Sequence, residues 1–272
     1  ILRRITPGPT SSNGESVGAS VQLHQNPESM ARSFLLLLLL SLVVSCGKDH
    51  EFDCFKSTGR TASEHRPLAS FTRIQLDDNI DLVLRLDTTS FAEVQAGENL
   101  IDGIITEVEN GTLYLRNENR CNWVRNFRKP VTVTVGMGQP ELINYYGYGD
   151  IHCIDTIRQH DFTFNCYNGS GSIWLKLNTD RSYLQLNVGR ADLHAAGRSN
   201  VSFVSNNDVG HIDNRALSSD LCYLRTKSTG ECRVRVEREL EATVEYIGDV
   251  YYSGSPYRVV VAGNGTGQVK AE

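Results

Sequence analysis

From Phe71 onward, apolar residues recur at every second position rather than every third or fourth. Ile80, Leu82, Leu84 and Leu86 alternate with Asp81, Val83, Arg85 and Asp87. Leu113 and Leu115 sit between polar neighbours, and Val131, Val133 and Val135 flank Thr132 and Thr134. A period of two marks half-buried strands, whose successive side chains point to opposite faces. No amphipathic helix is predicted after Cys46.

The second half repeats itself. A small, a polar and an aliphatic residue recur at Gly149-Asp150-Ile151, Gly171-Ser172-Ile173, Ala191-Asp192-Leu193 and Gly210-His211-Ile212, then at Gly230-Glu231-Cys232, Gly248-Asp249-Val250 and Gly267-Gln268-Val269. The first members lie 22, 20, 19, 20, 18 and 19 residues apart. A solenoid of short strands requires this spacing. We therefore expect an all-β fold, a parallel β-helix (β-solenoid) of about 20 residues per coil. The corner glycines are expected to adopt positive φ. Ile151, Ile173, Leu193, Ile212, Cys232, Val250 and Val269 should form one buried column, about 30 Å long at ~4.8 Å per strand.

A second apolar set lies upstream in each repeat: Phe162 and Phe164, Leu184 and Leu186, Val201 and Phe203, Leu240 and Ala242, Val259 and Val261. Its offset from the column slips by one residue in places, which predicts corners of unequal length. The competing architecture, an antiparallel sandwich, would use two-residue Asn-Gly or Asp-Gly turns. Of the Asn-Gly and Asp-Gly pairs in the chain, only Asn110-Gly111 and Asn168-Gly169 fall between strands read as paired.

If the column is buried, the residue after each member faces outward. That gives one row of His152, Trp174, His194, Asp213, Arg233, Tyr251 and Lys270. Trp174 between two histidines suits stacking on a sugar ring, with the histidines bonding its hydroxyls. His152, Trp174, His194 and Tyr251 are the candidate ligand-binding residues. Asp213 and Arg233, on adjacent rungs, are expected to form an exposed ion pair. Tyr145, Tyr146 and Tyr148 form a lesser aromatic candidate. Asp77, Asp78, Asp81 and Asp87 lack the spacing of a calcium loop and are read as turn and strand-face residues.

The N-terminal third carries an address. Phe34–Val44 is apolar except for Ser41, too short to span a membrane but the right size for a signal h-region. Met30-Ala31-Arg32-Ser33 supplies the positive n-region, leaving residues 1–29 as an over-extended start or a disordered leader. Val43-Val44-Ser45-Cys46 resembles a lipobox, with Cys46 as the acylated first residue; several acyl chains anchor stably where one does not. Gly47-Lys48-Asp49-His50-Glu51 resembles the export tag of Bacteroidetes-type surface lipoproteins. We expect a signal peptide over 30–45, a tether over 46–66 and the β-helix over 67–272. The expected location is the outer membrane, lipid-anchored, at its periplasmic face or on the cell surface.

Charge and cysteines narrow the chemistry. A formal charge of −5 leaves no basic stripe for phosphates, so no nucleic-acid partner is expected. Six cysteines remain beyond Cys46, and Cys54 with Cys121 is the expected bridge. There is no C-x-x-C pair and no H-E-x-x-H motif, so neither a metal site nor a cofactor is implied.

At this point the chain resembles the GIN domain, the putative auto-transporter adhesin head family. The resemblance rests on the repeated corners and on the ending Gly248-Asp249-Val250-Tyr251-Tyr252-Ser253-Gly254-Ser255-Pro256. Asn79-Ile80-Asp81-Leu82-Val83-Leu84, Gly97-Glu98-Asn99-Leu100-Ile101 and Cys121-Asn122-Trp123-Val124-Arg125 are similar too. It covers roughly Arg66 to Glu272, and departs from the usual corner at Val188-Gly189-Arg190-Ala191 and Asn207-Asp208-Val209-Gly210. It implies a right-handed parallel β-helix on a lipoprotein of Gram-negative bacteria, with no catalytic residues to carry over. The expected function is a non-enzymatic adhesin or ligand-binding scaffold, its partners the membrane through the anchor and a carbohydrate or a host or cell-surface protein. The rivals are a polysaccharide lyase or hydrolase, which needs a placed base or carboxylate pair, and a structural envelope role.

Overall fold

The computed structural model describes residues 57–119 and 130–272. The signal stretch, Cys46 and the Cys54–Cys121 pairing lie outside these residues. The described chain is a β-solenoid of about six turns with about 20 residues per turn.

The repeats form the body. Strands β10 (Ile157–Gly169), β11 (Ser172–Gly189), β12 (Asp192–Asn206), β13 (His211–Thr226) and β14 (Cys232–Val244) pair in parallel, each with the next. Each bends midway, so one strand serves two faces. In β11 the burial alternation changes phase at Asp180 and Arg181, two consecutive exposed residues at the bend. Past β14 the next coil consists of β15 (Val250–Ser253) and β16 (Arg258–Ala262), and β17 (Val269–Ala271) starts a further rung on β15.

The predicted column is present in register. Ile151, Ile173, Leu193, Ile212, Cys232, Val250 and Val269 are successive ladder partners, and all but the half-buried Val269 are buried. A second column runs Ile143, Phe164, Leu184, Val204, Leu224, Ala242, Val261. Here one expectation fails: Val201 and Phe203 point outward, and Ser202 and Val204 point in. The interior accepts Ser202 because its hydroxyl is hydrogen-bonded to that of Ser182 on the rung before, at 3.2 Å.

The corner glycines serve close approach rather than positive φ. Neither Gly171 nor Gly230 has a positive φ. A Cβ on Gly171 would run into the carbonyl of Gly149, and one on Gly230 into that of Gly210. The corners stack backbone on backbone, which leaves no room for a side chain.

The N-terminal part departs from simple winding. Strands β2 (Arg73–Leu76) and β3 (Ile80–Leu86) lie between an earlier coil end, β6 (Thr112–Asn117) and β7 (Val131–Met137), and the next coil, β8 (Leu142–Tyr145) and β9 (Ile151–Cys153). Strands β1 (Thr61–Pro67) and β4 (Phe91–Gly97) extend the β7 side as an antiparallel ribbon. β1 starts inside the stretch read as tether. β5 (Ile104–Glu109) and β6 form the one hairpin that the turn residues predicted, with Asn110 and Gly111 both at positive φ. Asn168-Gly169 instead sits at a corner between parallel strands. Beyond strands, a 3₁₀ turn covers Ile101–Gly103, and no described helix is long and apolar enough to cross a membrane.

Candidate functional site

The outward row exists as predicted. Val83, His152, Trp174, His194, Asp213, Arg233, Tyr251 and Lys270 are ladder neighbours on successive rungs. Rung spacing then sets the chemistry, because flat side chains about 4.8 Å apart stack on one another. His152 and Trp174 lie 4.3 Å apart between centroids at 7°, and Trp174 and His194 5.7 Å apart at 11°. Both faces of Trp174 are thus turned toward imidazoles. A sugar approaching from solvent meets the edges of the three rings, not an open indole face.

Further along, Tyr251 sits between the Arg233 guanidinium, 4.7 Å from its centroid, and the Lys270 ammonium at 5.5 Å. It lies three rungs beyond His194, about 14 Å at strand spacing. The four candidates therefore share a row but not a pocket: His152, Trp174 and His194 form one ladder, and Tyr251 stands apart.

Beside the ladder opens a groove of about 590 Å³. Trp174 and His194 form one wall; Ala195, Ala196, Ala216 and Cys153 give an apolar floor; Lys176, Asp213 and Arg215 bring charge. Lys176 donates to the Ile154 carbonyl at 2.7 Å, which fixes its ammonium. Asp213 takes two bonds from Arg215, at 2.8 and 2.6 Å, rather than pairing with Arg233. Arg233 turns instead to Glu231 at 2.8 Å and to Glu272. The Arg215 bond holds the Asp213 carboxyl below its ordinary range. An ionised, doubly bonded carboxylate has no proton to give and does not suit a general acid. The Cys153 thiol is pushed up to about 11 by burial, which makes it a packing residue rather than a nucleophile. Among the described residues, no cluster of His, Cys, Asp and Glu is arranged to hold a metal ion.

The tyrosine candidate does not form a platform. Tyr145 is fully buried; its hydroxyl donates to the Gly149 carbonyl at 2.7 Å and accepts the Gly171 N–H at 3.0 Å. Tyr146 stacks on Tyr167 at 5.2 Å. The aspartates act locally, Asp81 accepting the Asp150 N–H and Asp87 the Thr89 N–H.

Sequence reasoning missed a second aromatic ladder. Tyr183, Phe203 and Tyr223 stack at 4.8 and 5.3 Å on another face, beside a groove of about 300 Å³ that includes Arg225, Glu241 and Thr243. Their spacing of 20 residues was a usable signal. Grouping Phe203 with the interior concealed it.

The sequence profile of the family described as "Putative auto-transporter adhesin, head GIN domain" matches residues 70–256. No curated protein matches the chain. Among solved structures, a "putative adhesin" from Bacteroides fragilis superposes with TM-score 0.73 at 18% identity, over 78% of this chain and 97% of that one. A "putative adhesin" from Parabacteroides distasonis gives 0.63 at 17%, over 79% and 98%. A "putative lipid binding protein" from the same species gives the same values. At these identities the likeness is one of fold.

Proposed function

This chain belongs to the family of putative auto-transporter adhesin head (GIN) domains, and we propose that it is a non-enzymatic, lipid-anchored binding module of the cell envelope. Cys46 would hold it at the outer membrane. Its ligand is a saccharide of the cell or host surface, taken up along the groove beside His152, Trp174 and His194. The observation that carries this reading is the groove itself, an open channel with an apolar alanine floor, an aromatic wall and fixed charges at its rim. Such a mixture of apolar lining and a few placed polar groups suits a small ligand. Because the ring faces are stacked, the sugar lies across ring edges, bonded by the His194 imidazole, Lys176 and Arg215, with its apolar face on the alanines. Catalysis is disfavoured because the carboxylate at hand, Asp213, is neutralised by Arg215.

The test is a glycan array probed with the full chain and two variants. Trp174→Ala removes the wall, and Ala216→Trp fills the groove from an exposed position. The reading expects both to lose at least tenfold in signal on the glycans that wild type binds. Unchanged binding by Ala216→Trp would place the ligand elsewhere. New reducing or unsaturated ends released from an acidic polysaccharide would replace the reading with an enzymatic one.

A further inference from the structure

The groove beside Trp174 lies at a bulge. Asn214 and Arg215 of β13 stand opposite Ala195 alone, so β13 carries one residue too many at this rung. The Asn214 side chain turns inward, and its Oδ1 accepts the Ala195 N–H at 3.1 Å. The alternation of β13 breaks there, leaving Arg215 and Ala216 as consecutive exposed residues. Ala216 keeps the outward row of Lys176 and Ala196, and Arg215 is added to the groove's rim. The hydrogen-bonding capacity left over is one-sided. Arg215 gives Nε and Nη2 to Asp213, and its Nη1 has no partner among the described residues. Lys176 spends one of its three N–H groups on the Ile154 carbonyl and forms no ion pair among the described residues. Asp213, the one carboxylate of the lining, already takes both Arg215 bonds. The lining thus sets two cations against one engaged carboxylate, with donors to spare. The neighbouring cleft of about 240 Å³, which shares His194 and Asp213, has the opposite balance: Asp192, Asp213 and Glu231 outnumber Arg233.

Resting on the saccharide reading of this groove, we propose that the ligand is an acidic saccharide, bearing a carboxylate or a sulfate ester, and that Lys176 is the principal contact of its anionic group. Spare donors call for acceptors, and an unpaired ammonium calls for negative charge; an acidic sugar brings both. Neutral hydroxyls would fill the N–H groups but leave the Lys176 charge without a counterpart. Charge-assisted bonds are about twice as strong as neutral ones, so the discrimination falls on the anion. Arg215 Nη1 offers a second donor from two rungs on, about 10 Å away at the backbone. The attraction is local, because a formal charge of −5 repels anions at long range. The acidic cleft next door keeps the anion on the alanine side. Carboxylate and sulfate share this chemistry.

The test is an array that carries each oligosaccharide in matched carboxylated, sulfated and neutral forms, probed with the full chain. Wild type should bind acidic members at least tenfold above their neutral counterparts. Signal on the carboxylated forms alone, or on the sulfated forms alone, supports the proposal and identifies the anion. Lys176→Gln should lower acidic binding at least tenfold, and Lys176→Arg, which restores the charge, should keep most of it. Lys227→Gln removes the same charge at a corner where Glu245 pairs it, and should leave binding unchanged. Equal binding of acidic and neutral members, lost in Trp174→Ala, overturns the proposal and leaves the saccharide reading standing. Acidic binding untouched by Lys176→Gln overturns it too, as do equal losses in Lys176→Gln and Lys227→Gln, which identify diffuse charge attraction. No binding to any member overturns both readings.

Discussion

Ile173 lies inside the inner column, fully buried, with Ile151 and Leu193 as ladder partners on either side. Truncation to alanine removes buried methyl groups from a stack whose backbone is fixed by its neighbours and cannot collapse to refill the space. Such cavities cost about 2–5 kcal/mol. For a domain of 150–250 residues each kcal/mol lowers Tm by about 2–4 °C, so Ile173→Ala should melt about 4–20 °C below wild type. Lys176→Ala, three residues on and facing solvent, should stay within about 0.5 kcal/mol. Thermal unfolding followed by circular dichroism, with urea titration at 25 °C, measures both. The solenoid adds a spatial signature, since each coil is stabilised chiefly by its neighbours. Hydrogen exchange should rise in β9, β11 and β12 well before β14. Equal shifts for Ile173→Ala and Lys176→Ala would refute the assignment of inward and outward faces.

Three further outcomes follow from particular groups. Burial pushes the thiols of Cys153, Cys166 and Cys232 up to about 11 and that of Cys222 to about 12. They should resist a thiol reagent at pH 8 in the native protein and react in urea. Because an unfolded thiol ionises near pH 8.5, their stabilisation is full below that value and is lost as pH rises toward the folded value, so the urea midpoint should fall between pH 8 and pH 10.5. Asp249 accepts bonds from the Gln268 N–H at 2.8 Å and the Lys270 ammonium at 2.7 Å, and Lys270 holds its carboxyl below the ordinary range. Asp249→Asn should cost about 0.5–1.5 kcal/mol, discounted for its exposure. That difference should be present above pH ~4 and close as pH falls through the lowered carboxyl value. Cys46→Ser should abolish labelling by a fatty-acid analogue and move the protein from the membrane to the soluble fraction.

The column was legible because every member is aliphatic or cysteine, and because corner spacing near 20 residues fixes which residue follows each corner. The outward row came with it, since a period of two assigns the next residue to the other face. Phe203 was misread because its row carries apolar residues outside and a serine inside, so hydrophobicity points the wrong way; the Ser182–Ser202 hydroxyl pair is invisible to a pattern of apolar positions. The placement of β2 and β3 between β6–β7 and β8–β9 could not be read either, because alternation specifies strands but not which strands meet. The groove left no mark in the sequence. Ala195, Ala196 and Ala216 carry no chemistry, and they matter only because they are small beside Trp174 and Lys176.

The central functional claim is that ligand lies against the Trp174 wall. The chain has two tryptophans, Trp123 and Trp174, so Trp123→Phe leaves Trp174 as the single fluorescent reporter. Titrating that variant with a glycan bound by wild type should shift or quench Trp174 emission, saturating at the concentration that saturates binding. Full binding with unchanged Trp174 emission would contradict the account.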